Sequence, residues 1–132
     1  MTVIPGPDRK EFTRSVIRMY LTLPETPERA GRTDWVMANN LFDRKIARET
    51  VKQALLLASV RRLGRPPDMP RLAPIRSLHY FVPVIEELLE QPLPDGYPEY
   101  LQRKIIPLTK LGLGGKISGP ALDQISTIFS DR

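Results

Sequence analysis

From Val51 to Val60 the chain reads Val-Lys-Gln-Ala-Leu-Leu-Leu-Ala-Ser-Val, and its apolar residues cover nearly every side of a helix. A helix that is apolar all round cannot face water, so other elements must wrap it. The helix is expected over 48–63, with polar first turns made by Arg48, Glu49, Lys52 and Gln53. Arg61 and Arg62 stand in its last turn, where positive charge suits the helix dipole, and Gly64 ends it. This segment is expected to be the central helix, and the rest of the chain must supply its cover.

Proline marks where the covering elements begin and end. There are 14 in 132 residues, mostly in clusters between segments of helical periodicity. No segment alternates with period two and none carries a hairpin turn. A first helix starts near Pro7 and carries Phe12, Val16, Met19, Tyr20 and Leu23 as one stripe, ending at Leu23-Pro24-Glu25-Thr26-Pro27. A second, capped by Thr33 or Asp34, runs to about Arg44 and buries Trp35, Ala38, Leu41 and Phe42. After the proline-rich loop 64–76, Ser77 caps a fourth helix with Leu78, Phe81, Val84, Ile85, Leu88 and Leu89 on one face. Pro83 should kink or break it. A fifth helix starts near Pro98, carries Tyr100, Leu101, Ile105 and Ile106, and is limited by Pro107. A glycine link, Gly112 to Gly115, precedes a last helix begun at Gly119-Pro120, with Leu122, Ile125, Ile128 and Phe129 as its stripe. The expected fold is all-α: a single compact bundle of about five to six helices with proline-rich loops, forming one domain over 1–132, with 1–6 and 112–118 flexible.

The absence of cysteine removes disulfides, thiolate metal sites and cysteine nucleophiles. No signal peptide and no membrane-length apolar run is legible, so a cytoplasmic protein with no membrane association is expected. Catalytic chemistry has little to stand on. Ser77, the lone His79 and Glu86 share one helix and point in different directions, and helix capping accounts for the serine. One histidine does not make a zinc site. The acidic run Glu86, Glu87, Glu90, Asp95 and Glu99 lacks the spacing of a calcium loop and reads as a solvated face. Gly112-Leu-Gly-Gly-Lys116 lacks the spacing and the preceding strand of a phosphate-binding loop. The sequence therefore points to a binding protein with no enzymatic activity, no metal and no cofactor.

Charge is what remains. The chain carries 20 Lys and Arg against 15 Asp and Glu, a net of +5, and most of its bases are arginine. Residues 61–76 hold Arg61, Arg62, Arg65, Arg71 and Arg76 against Asp68 alone. Residues 101–116 add Arg103, Lys104, Lys110 and Lys116 with no acid, while residues 84–99 hold five acids and no base. Two arrangements are open. The basic segments can share a face that follows a phosphate backbone, or their arginines can pair with the acidic segment and neutralise it. The short turn at 45–47 also has the length of a helix-turn-helix, whose second helix would offer Arg48, Glu49, Lys52 and Gln53 to bases. The expected nucleic-acid contacts are Arg48, Lys52, Arg61, Arg62, Arg65, Arg71, Arg76, Arg103 and Lys104, with Tyr97 and Tyr100 as stacking platforms if exposed. The partner is expected to be DNA, single- or double-stranded, or RNA. The alternative is a protein-interaction adaptor, docking through the acidic fourth helix or the C-terminal helix, or a small helical subunit of a larger nucleoprotein complex.

The words Tyr20-Leu-Thr-Leu-Pro-Glu-Thr-Pro27, Ala54-Leu-Leu-Leu-Ala58, Arg61-Arg62, Pro74-Ile-Arg-Ser-Leu-His-Tyr-Phe81 and Pro83-Val-Ile-Glu-Glu-Leu88 resemble a family of bacterial proteins encoded on mobile elements. More distantly, a long helix over 51–63 followed by a loop and a helix capped by Ser77, with Tyr80 and Phe81, is similar to the C-terminal helical domain of DnaD-type replication proteins. That resemblance implies binding to single-stranded DNA or to a replication partner, in an accessory role.

Overall fold

The computed structural model describes residues 8–70 and 72–108, and among them every regular element is helical. Five α-helices follow in order: α1 (Arg9–Thr22), α2 (Arg32–Asp43), α3 (Arg48–Leu63), α4 (Val82–Glu90) and α5 (Tyr97–Ile105). A 3-10 turn, Leu78–Phe81, leads into α4, and another, Ile106–Leu108, follows α5. The flexible segments expected at 1–6 and 112–118, and the expected last helix, lie outside the described residues.

The central position expected for α3 is observed. Val51, Ala54, Leu55 and Leu56 have no exposed surface, and α1, α4 and α5 all pack against this helix. Each fully buried Val or Leu side chain contributes roughly 1.5–3 kcal/mol by leaving water. α1 presents Val16, Met19, Tyr20 and Leu23 to the same core, and α2, packed on α1, adds Ala38 and Leu41. Phe81, Ile85, Leu101 and Ile105 close it from α4 and α5.

Local chemistry sets the ends of the helices. Asp8 caps α1, its carboxylate accepting from the Glu11 amide at 2.8 Å. Pro83 falls in the first turn of α4, so the expected break is a change from 3-10 to α geometry, and the missing amide costs no helical bond there. Ser77 caps the 3-10 turn by accepting from the His79 amide. Gly96 begins α5 with φ 84°, a left-handed conformation that a side chain would strain. Lys45 adopts φ 61° in the short turn that brings α3 back after α2.

The second helix differs from its expected form. Its cap is Gly31, and Asp34 sits inside the first turn, buried. One Asp34 carboxylate oxygen accepts from the Gly31 amide at 2.8 Å, and the other accepts from the Leu78 amide at 2.8 Å. A single side chain therefore caps α2 and fixes the start of the 3-10 turn 44 residues away. Tyr20 lies close by. Burial pushes its phenol above its ordinary pKa, and the Asp34 carboxylate adds to the shift. Trp35 and Leu89, expected in the core, are substantially exposed. Asp34, Ala38 and Leu41 share the buried face at i, i+4 and i+7, and Trp35 stands roughly 100° off it.

Asp34→Ala strands the buried Leu78 amide and uncaps α2. A loss of about 3 kcal/mol is expected from chemical denaturation, since hydrogen bonds to a charged group are each worth about 1.5–3 kcal/mol. A loss under about 1 kcal/mol would show that water replaces the carboxylate.

Candidate functional site

The arginines of the 61–76 segment do different jobs. Arg62 is 8% exposed. Its Nε donates to Glu25 at 2.7 Å, one terminal nitrogen donates to the Ala73 carbonyl, and the other donates to the Tyr80 hydroxyl at 3.3 Å. The guanidinium also lies 5.4 Å from the Tyr80 ring centre. Burial opposes its charge, and the bonds to Tyr80 and Glu25 more than offset this, leaving its pKa raised. Arg62 therefore joins the end of α3 to the loop after α1 and the loop before α4. Glu25 is held at φ 66°, and its carbonyl accepts from the Ile75 amide at 3.0 Å, so the same two loops also meet through backbone. The expectation that Arg62 contacts phosphate is corrected: its donors are used inside the fold.

Arg61, one residue earlier, faces out and donates twice to Glu87, at 2.8 and 2.6 Å. Arg44 does the same to Glu86, at 2.8 and 3.1 Å. The arrangement in which an arginine of the basic segments neutralises the acidic one is thus realised at Arg61, and Arg44, from outside those segments, does the same to Glu86. The hydrogen bonds from Arg44 and Arg61 hold the Glu86 and Glu87 carboxyls below the usual carboxylate range.

Base readout by the first turns of α3 is also corrected. Lys52 is 6% exposed and pairs with Glu49 at 2.9 Å. Arg48 is half-buried and donates to Ser15 of α1. The helix that would enter a groove packs against α1, α4 and α5, and Arg48, Glu49 and Gln53 in its first turns are only partly exposed. Arg65 is half-buried, donates to the Pro70 carbonyl at 3.2 Å and has no ion pair among the described residues. Arg76 is exposed, and Arg71 lies outside the described residues.

The second basic segment presents a different surface. Tyr97 and Tyr100 are 38% and 40% exposed, with ring centres 5.5 Å apart and planes tilted by 30°. Lys104 places its Nζ 5.7 Å from the Tyr100 ring centre. Positions 97, 100 and 104 follow the i, i+3, i+7 spacing of one helix face. Arg103 flanks that face, while Leu101 and Ile105 turn into the core beside it. α5 packs against α3, so this stripe stands on a helix fixed to the central one.

Among the described residues no group of three or more His, Asp or Glu side chains could hold a metal ion, and no helix is long and apolar enough to cross a membrane. Ser77 has its cap role and His79 is exposed beside it. No protein-family profile, curated protein or solved structure matches the chain. The Glu25–Arg62 pair was beyond sequence reasoning, because 37 residues separate the partners and no local pattern links them. The spacing of Tyr97, Tyr100 and Lys104 was legible, but which side of α5 faces out was not.

Two consequences can be measured. Arg62→Met should lower stability by about 2 kcal/mol, through lost charge-assisted hydrogen bonds, whereas Arg61→Met should cost at most about 1 kcal/mol, the usual worth of an exposed pair. Equal losses in urea denaturation would contradict the division of labour between the two. Because the Glu86 and Glu87 values are lowered in the folded state, their contribution is present above the unfolded value, about 4.3, and is lost as the pH falls through the folded values. The acid-side decline in denaturation midpoint should therefore be shallower in Glu86→Gln/Glu87→Gln, and an unchanged slope would rule out the pairs as its source.

Proposed function

We propose that this protein is a non-enzymatic accessory module that holds single-stranded nucleic acid on the outer face of α5, in DNA replication or mobile-element maintenance. The observation that carries this reading is the exposed stripe of Tyr97, Tyr100 and Lys104 with Arg103 at its edge. Exposed rings next to cations suit a strand whose bases are unstacked: the rings take base faces, the cations take phosphates, and no base identity is required. A duplex hides its base faces, and readout of base edges would need a projecting helix. The first turns of α3 are half-buried against their neighbours, so they do not project as one. The net charge of +5 favours a polyanion in general. The similarity of the 51–81 segment to DnaD-type helical domains supports single-stranded DNA and the replication setting.

The adaptor reading through the acidic face of α4 loses ground because two of its carboxylates are occupied by Arg44 and Arg61. Docking through the C-terminal helix concerns residues outside the described ones.

The test is fluorescence anisotropy of labelled oligothymidylate and of a duplex, at low and moderate salt. Tighter binding to the single strand, weakening steeply with salt, is expected. Tyr97→Ala and Tyr100→Ala should each cost about 1–3 kcal/mol of binding, the value of a stacked base. Arg62 is left intact in this test, since it supports the fold. Equal affinity for duplex and single strand, or full affinity in the Tyr97→Ala/Tyr100→Ala variant, would overturn the proposal.

A further inference from the structure

The proline-rich link between α3 and α4 folds back over the end of α3 and leaves an open groove of about 830 Å3. That volume lies within the roughly 300–1,000 Å3 of sites that hold small ligands and anchor side chains. Its apolar walls include Leu63, Met69 and Leu72, all considerably exposed, together with four prolines of the link. Prolines have a fixed φ and little freedom left to lose, so this wall is shaped before anything binds. The link is also tied down beyond the groove, by Arg62 at the Ala73 carbonyl and by the Ile75 amide at the Glu25 carbonyl.

Charge distinguishes the groove from a plain apolar patch. It is lined by Glu25, Arg62 and Arg65. Glu25 and Arg62 pair with each other, so their charges cancel. Arg65 bonds only a carbonyl oxygen, which leaves its positive charge uncompensated among the described residues. Among the described lining residues, Arg65 is the one guanidinium without a carboxylate partner, and against an apolar wall it is complementary to one carboxylate flanked by apolar side chains. A nucleic-acid strand needs a row of cations and gains little from Leu63, Met69 and Leu72.

We infer that this groove docks an acidic, apolar peptide segment of a partner protein, with a side-chain carboxylate on Arg65 and apolar neighbours on Leu63, Met69 and Leu72. No residue of the α5 stripe lines the groove, so a strand and a partner chain would be held by different side chains.

The experiment is selection from a displayed random-peptide library on the full-length chain, followed by titration of the synthesised consensus peptide. The expected consensus has an acidic residue between apolar ones. Its affinity should fall more than about tenfold in Arg65→Glu, the effect expected when a partly desolvated Arg–carboxylate pair is reversed, and comparably in Met69→Asp. Both side chains are on the surface of the groove, and an unchanged urea midpoint would show that the fold persists. Tyr100→Ala should leave peptide affinity unchanged, and Arg65→Glu should leave most oligothymidylate affinity intact, so this inference and the strand-binding reading fail separately. Absence of any enriched sequence, a basic or purely apolar consensus, or full affinity in Arg65→Glu would overturn it.

Discussion

Everything in this fold answers to the need to keep α3 dry. Val51, Leu56 and Leu57 point to different sides of one helix, and each must be covered. Because the burden lies on all sides, no single partner helix suffices: α1, α4 and α5 all pack against it. The proline clusters make this possible, since they stop each covering helix before it outruns the core and turn the chain back. The polar ends of α3 are then drawn inward with it. Lys52 and Arg62 are buried because the helix they belong to is buried, and both are retained only with carboxylate partners.

The electrostatics follow from that constraint. A basic protein with most of its bases as arginine invites the picture of a continuous phosphate-binding face. Instead several of the arginines serve structural tasks. Arg62 joins two loops to the end of α3, and Arg44 and Arg61 fix α4 to its neighbours through bidentate contacts with Glu86 and Glu87. Guanidinium groups suit this work because their donors form a fixed fork and their charge persists at every physiological pH. Two surfaces stand out for a partner: an aromatic stripe with cations on α5, and an apolar groove beside Arg65.

These two surfaces lie on elements of different character. The α5 stripe stands on a helix anchored by Leu101 and Ile105, so ring positions are set by the core. The groove stands on a loop whose shape is set by proline and by the Arg62 tie. Asp34 holds the start of the 3-10 turn after that loop, so the groove depends on a buried carboxylate two helices earlier in the chain.

By itself the sequence determined the helical class, the approximate span of α3, the change of geometry near Pro83 and the end of α5 just before Pro107, because those depend on periodicity and on the covalent geometry of proline. It also made the Tyr97, Tyr100 and Lys104 spacing visible. It could not determine which arginines are free. That depends on partners 37, 26 and 42 residues away, as in Glu25–Arg62, Arg61–Glu87 and Arg44–Glu86. Nor could it turn Trp35 outward, since that follows from Asp34 reaching the Leu78 amide across 44 residues. Local sequence sets the conformation of each segment, whereas exposure and charge pairing arise only when distant segments meet, and so tertiary structure alone decided which surfaces remain for binding.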